Sequence, residues 1–468
     1  MLNSKSVNNL LLVLVIMVVV VVSMQTLTTK PGLWVDEAKS ILLARSFANH
    51  YTLDIETSPG EYSGAKTLLQ SSGYPVTVPL AGVFEIFGDT FVNARIYMLS
   101  WMCLALVMIY FFVRKLSDSR TALLSTLLVA TFASFHDSGR TVVGEIPGFV
   151  FLLAGLYLWL EKREFIGAGF FLSLALVVKP SVFLSLIPAV LLIVLVGKSA
   201  FKNKLSKIIR MIFGGLPPAL FWLTFSVDKS DGVGIRRNVL EFFANPYSTN
   251  SILDNILKNL SGVIHSSTLI YFGVLLVIAI FAYRKIIDEK LRALFLFTFI
   301  YSAFTFLYYL RSPGWLRYIL ISELLLLIIT PITFSHLAKF WKYLTLALVT
   351  IQTVHFFTAA QIQYSDSAII ISDKIGMYES DKKIGIVNAL EVSALLPSAK
   401  IYQTVHLLGI PTIGEHPLSK QNTMEPPDLI LTGPGFENFD YLDVIEEKYE
   451  LAEKHKGYGL YLRRSSRR

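Results

Sequence analysis

The chain has 468 residues, 53% hydrophobic and only 16% charged, against about a quarter charged in soluble domains. That deficit excludes an ordinary soluble enzyme, and 33 Phe with 21 Tyr exclude a disordered or collagen-like chain. Lys and Arg number 42 against 34 Asp and Glu, a net charge of +8, but the cations stand in short clusters between apolar runs, a spacing that fits membrane topology and not a nucleic-acid face.

A membrane-spanning helix needs about 20 mostly apolar residues. Eleven such runs follow in chain order, near 8–26, 94–113, 120–136, 143–160, 164–178, 180–197, 208–227, 266–283, 292–310, 316–335 and 342–360. The first, LLLVLVIMVVVVVSM, follows Lys5 as a signal peptide would, yet Val22, Ser23, Met24, Gln25 and Thr26 match a small-residue cleavage site poorly, so a retained anchor is expected. The fifth and sixth runs are parted by little more than Lys179-Pro180, as in a tight hairpin.

Basic residues in alternate loops set the orientation. Arg114/Lys115/Arg120, Lys162/Arg163, Lys198 to Arg210, Arg284 to Arg292 and Lys339/Lys342 fall on one side, which is assigned to the cytoplasm. Segments 28–93, 137–142, 228–265 and 311–315, and everything after 361, then lie outside. Loop 28–93 contains WVDEAKSILLARSF, a helix start with Asp36 and Glu37 in its first turn, and YPVTVPLAGVFEIFG, apolar enough to lie along a membrane surface. Beyond 361, KKIGIVNA, AKIYQTV, DLILTG, YELAEKH and YGLYLRR read as short strands with a helix over Asp440 to Glu447, a small exterior α/β domain. The expected organisation is therefore an α-helical polytopic membrane domain, 1–360, including the exterior loop 28–93, followed by an extracytoplasmic α/β domain, 361–468. The plasma membrane is the expected location. No repeat of 20–50 residues is present, Cys103 has no partner for a disulfide, and no His spacing suggests zinc.

Ionisable groups at span ends are costly and usually face a cavity or a partner. Asp36, Glu37, Arg95, Arg140, Glu145, Lys179, Arg311 and Arg317 all fall at the outer face. A sugar linked to a polyprenyl phosphate has a polar head and a lipid tail, so a cavity at the membrane surface suits it. Cations there would hold its phosphate, and a carboxylate would take the proton of an attacking acceptor hydroxyl. Asp36 is the candidate base; Glu37 or Glu145 would orient the acceptor or support the oxocarbenium-like centre. Each residue has a plainer role open to it. Asp36-Glu37 would also suit a helix N-terminus, and the cations would also serve as interfacial anchors. Lys179 with Arg311 or Arg317 could counter the phosphate charge without metal, while Asp36, Glu37 and Glu145 could equally share a divalent cation.

The order of these features resembles the GT-C membrane glycosyltransferases, most closely the dolichyl-phosphate-mannose protein mannosyltransferases and the bacterial aminoarabinose lipid A transferases. The likeness rests on the acidic pair after the first span, on Phe87-Gly88 and Asn93-Ala94-Arg95 before the second, on LALVVKP with Lys179-Pro180, and on WLRYILISELLLL with Arg317-Tyr318. Gly73-Tyr74-Pro75 and Val78-Pro79-Leu80 stand where that family usually has His-Pro-Pro-Leu. The resemblance implies a polyprenyl-phosphate sugar donor, Asp36 as base, inversion at the anomeric carbon, and a lipid, glycan or protein acceptor. No WWDYG-like string supports an oligosaccharyltransferase. A transporter or flippase is the rival from another class, although spans apolar through their centres, Glu323 excepted, speak against it.

Overall fold

The computed structural model describes residues 4–58, 60–62, 73–196, 200–226, 251–312, 314–358, 366–377, 383–396, 401–405, 427–434, 445 and 447–464. In chain order its helices are α1 (Ser4–Gln25), α2 (Val35–His50), α3 (Tyr74–Phe87), α4 (Phe91–Leu116), α5 (Ser119–Ala130), α6 (Ala133–Arg140), α7 (Glu145–Tyr157), α8 (Phe165–Val178), α9 (Pro180–Phe183), α10 (Leu186–Val196), α11 (Phe201–Ser226), α12 (Ile252–Val263), α13 (Ser267–Tyr283), α14 (Glu289–Arg311), α15 (Leu320–Leu337), α16 (Trp341–Thr358), α17 (Ser367–Gly376) and α18 (Leu390–Leu395). Two compact units result. Residues 1–25, 98–140 and 144–361 form the first, and 26–97, 141–143 and 362–468 the second. The first exterior loop thus groups with the C-terminal segment, whereas the sequence alone keeps it with the spans.

The protein is an integral membrane protein by its apolar helices. Among the described residues four helices are long and apolar enough to cross a membrane, Val7–Gln25, Phe91–Leu116, Glu289–Arg311 and Leu320–Leu337. Two bent pairs raise the number to six: α6 with the helical stretch Glu145–Lys162, turned by 107°, and α12 with α13, turned by 80°. Among the described residues each apolar run is mainly helical; the third stops at Ala130 and resumes as α6, so the expected connector 137–142 is helical as far as Arg140, and the sixth is broken between α9 and α10.

Side chains in the turns start several of these helices. Asp118 accepts the N–H groups of Arg120 and Thr121, Glu164 those of Ile166 and Gly167, and Ser266 and Asp288 cap α13 and α14. Lys179 precedes a proline, which disfavours helical backbone, and its φ of −153° and ψ of 85° part α8 from α9. The first unit centres on α15, apolar all round and buried through Phe334, with α5, α13 and α16 packed about it. Helices α8 and α11 meet backbone to backbone. A β-carbon on Gly169 would strike the Met211 carbonyl and one on Gly214 that of Ile166, so only glycine permits the approach.

In the second unit, β1 (Glu56–Ser58) pairs antiparallel with β2 (Glu61–Tyr62). Strands β3 (Ile384–Val387), β4 (Ile401–Val405), β5 (Leu429–Thr432), β6 (Tyr449–His455) and β7 (Tyr458–Arg463) form a sheet of order β4-β3-β5-β7-β6. Parallel pairs β3–β4 and β3–β5 adjoin the antiparallel pairs β5–β7 and β6–β7. Strands β3 and β5 are buried along their whole length, as parallel strands covered on both faces are. Ile371 and Ile375 of α17 and Val392 of α18 pack with Ile384, Ile386, Leu429 and Leu431. These are the strands expected from the sequence; the helix expected over Asp440 to Glu447 lies mostly outside the described residues.

Candidate active site

Trp34 enters α2 with extended backbone and no side-chain cap, and Asp36 and Glu37 stand in the first turn, where negative charge suits the helix dipole. Glu37 and Arg95 are both 0% exposed. The Arg95 guanidinium grips the carboxylate with two bonds, Nε to Oε1 at 2.9 Å and Nη2 to Oε2 at 2.8 Å. Its Nη1 donates to the Leu27 carbonyl at 2.6 Å, and the Phe91 ring lies 4.4 Å from its Cζ. Glu37 Oε1 also accepts the Val142 N–H at 3.2 Å, which draws the turn after α6 to the start of α2. Glu37 and Arg95, expected on the acceptor and the phosphate, are instead closed on one another. A helix turns about 100° per residue, so Asp36 faces a different way from Glu37, and it is half-buried.

Near its other end α2 carries Arg45, which the sequence reading passed over. Its Nη atoms donate to the carbonyls of Ser393, Ala394 and Leu396 at 3.0–3.2 Å, the open end of α18, while Nε pairs with Asp89 at 2.8 Å. One arginine in a helix that also carries Asp36, Glu37 and Lys39 gives no sequence signal of such a role.

In the first unit Glu145 opens α7, and Lys179 stands at the break after α8. Lys179 Nζ meets Glu145 Oε1 at 2.7 Å, both residues buried. Gly144 lets the two segments close: a β-carbon there would stand 2.6 Å from Val178 Cγ1. Glu145 Oε2 has no hydrogen-bond partner among the described residues, although it is buried. Arg140, also buried, turns back along α6, its Nε donating to the His136 carbonyl at 3.1 Å and its Nη2 3.4 Å from Asp137. Glu323 is buried in α15, and its Oε1 likewise lacks a partner among the described residues.

The turn between α14 and α15 gathers Arg311, Arg317 and Tyr318. Arg311 lies over Tyr308, with its Cζ 5.9 Å from the ring, and Arg317 between Trp315 and Tyr318 at 4.7 and 5.7 Å. The turn is held from α12. Asn259 Nδ2 reaches the carbonyls of Tyr309, Leu310 and Ser312 at 3.1, 2.9 and 2.8 Å. Gly314, at φ +84°, accepts the same side chain, because a β-carbon would stand 2.5 Å from Asn259 Oδ1. The sequence does carry a trace of this in the i, i+4 spacing of Asn255 and Asn259 within an amphipathic helix.

Metal does not fit these groups. Among the described residues no group of three His, Cys, Asp or Glu side chains could hold an ion, and Glu37 and Glu145 already hold Arg95 and Lys179.

The family description Dolichyl-phosphate-mannose-protein mannosyltransferase matches residues 77–223. No curated protein sequence matches the chain. The structure superposes on ArnT from Cupriavidus metallidurans in the apo state, at 11% identity and a TM-score of 0.64, covering 96% of this chain and 97% of that one. The same enzyme bound to undecaprenyl phosphate gives a TM-score of 0.62 over 97% of this chain and 98% of that one, again at 11% identity. The fold is that of the GT-C membrane glycosyltransferases. A GT-C enzyme from Archaeoglobus fulgidus, an oligosaccharyltransferase in the apo form, gives 0.54 at 11% identity over 95% of this chain and 69% of that one. The GT-C resemblance stated from the residues is therefore present in the fold, and it runs through almost the whole of the chain.

Proposed function

We propose that the protein moves a sugar from a polyprenyl-phosphate carrier to a hydroxyl-bearing lipid, glycan or protein acceptor at the outer face of the membrane. The observation that carries this is the near end-to-end likeness to an enzyme solved with undecaprenyl phosphate, which leaves no room for an unrelated membrane architecture. Asp36 is the general base. The acceptor oxygen gives its proton to the Asp36 carboxylate and bonds to the anomeric carbon, the bond from that carbon to the phosphate oxygen breaks, and the lipid phosphate leaves; attack opposite the leaving group inverts the centre.

The locked Glu37 supports the choice of Asp36, because both oxygens of the Glu37 carboxylate are engaged by Arg95 while it holds its neighbour's helix turn in place. Arg311 and Arg317 supply positive charge to the phosphate. Lys179 would add its own only while shared with Glu145, and Arg95 and Arg140 serve as supports. Eleven spans, with the basic loops in the cytoplasm and the C-terminal sheet outside the plasma membrane, complete this picture.

Purified chain in liposomes, given a synthetic polyprenyl-phosphate hexose or pentose and a lipid extract, should release polyprenyl phosphate and add the mass of the sugar to an acceptor. Movement of the substrate across the bilayer with no glycosidic bond broken would point to the transporter.

A further inference from the structure

Helix α12 has two faces of opposite character. Leu253, Leu257, Leu260 and Ile264 are 65%, 58%, 46% and 69% exposed, at the i, i+4, i+7, i+11 spacing of a single stripe. Opposite them Asn255 and Asn259 are buried, and Ile256 and Val263 pack beside Leu269, Tyr309, Leu310 and Ile319. The chain then bends by 80° into α13. There Ile270, Val274, Val277 and Phe281 are 49%, 53%, 52% and 59% exposed at the same spacing, so α12 and the helix that follows it each carry an exposed apolar stripe. Exposed Lys258 flanks the strip, where an ammonium on a long stem reaches headgroups.

We propose that α12 lies in the plane of the membrane surface, its leucine stripe among lipid acyl chains, and that through Asn255 and Asn259 it fixes the Arg311–Tyr318 turn at headgroup depth. Lipid is the occupant because the next helix, α13, bears a like stripe on a sequence of membrane-span composition, and because the 80° bend sets α12 across the direction of α13. Asn255 Nδ2 approaches the Arg311 carbonyl at 3.4 Å, and Asn259 binds the carbonyls on both sides of it, so the depth of α12 becomes the depth of both arginines. That the turn holds a donor phosphate rests on the proposed function; the place of α12 does not.

The full chain with Cys103→Ala is spin-labelled singly at Leu257→Cys, Leu260→Cys, Val274→Cys and Lys258→Cys in phosphatidylcholine/phosphatidylglycerol nanodiscs. Labels at 257 and 260 should match that at 274, open to oxygen and shielded from an aqueous nickel complex. If instead they meet nickel as freely as the label at 258, α12 stands in water and the proposal fails. Asn259→Leu, close in volume, should raise the donor KM about tenfold at unchanged kcat, the equivalent of one buried hydrogen bond, and Gly314→Ala, which presses on the same amide, should do likewise. An unchanged KM in both would remove the link to the turn. Absence of transfer by the unaltered chain would reject the glycosyltransferase reading alone, since the labels report the place of α12 without turnover.

Discussion

Removing one half of the Glu37–Arg95 pair leaves the other charged, desolvated and without its partner. Arg95→Met is expected to cost about 3–5 kcal/mol, read as a lower denaturation midpoint in detergent, and Glu37→Gln added to it should regain part of that loss. A single variant as stable as the parent would contradict the buried pair. Glu391 offers a second test, on α18 in the C-terminal segment. Burial raises its carboxyl above the ordinary value of 4.5, against the hydroxyl proton that Tyr458 donates to it. As pH rises past about 4.5 the unfolded chain gives up a proton that the folded chain keeps, so stability falls from there up to the raised value. Glu391→Gln should therefore flatten the fall in midpoint as pH rises past about 4.5. Identical profiles for the two proteins would show that the carboxyl is not held neutral.

At the scale of the helices, the α8–α11 seam is the least forgiving contact. Gly169→Ala puts a methyl where the Met211 carbonyl lies, and the helices must part. A loss of about 1–3 kcal/mol is expected, visible in the midpoint and in the yield of folded protein, while Gly273→Ala, with open space around it, should change neither. Equal behaviour of the two variants would mean that the seam is looser than described. Most helices were legible in the sequence because a lipid-length apolar run has few other fates, and the strands were legible from short β-rich segments between turns. The break at Ala130 was not. Thr131 and Phe132 look no different from their apolar neighbours, and what ends the helix there is packing, with Phe132 against Phe272 and the Thr131 hydroxyl on Gln352.

For the whole molecule, the sequence showed which ionisable groups matter and not which of them meet. Charges at span ends mark themselves by their cost, so Glu37, Arg95, Glu145 and Lys179 all stood out. Their pairing joins residues 58 and 34 positions apart and is set by tertiary packing alone. The grouping of loop 28–93 with the C-terminal segment was hidden for the same reason, because Arg45 reaches Ser393 across 348 positions. Arg45→Leu should loosen that second unit, seen as faster proteolysis after residue 361 with the span helices intact. The Glu37–Arg95 pair bears on the proposed base, Asp36, through the first turn of α2 that the two acids share. Single-turnover release of polyprenyl phosphate from a synthetic donor, by protein shown to be folded, should be abolished by Asp36→Asn and retained at a measurable rate by Glu37→Gln. Unchanged release by Asp36→Asn would show that the base lies elsewhere.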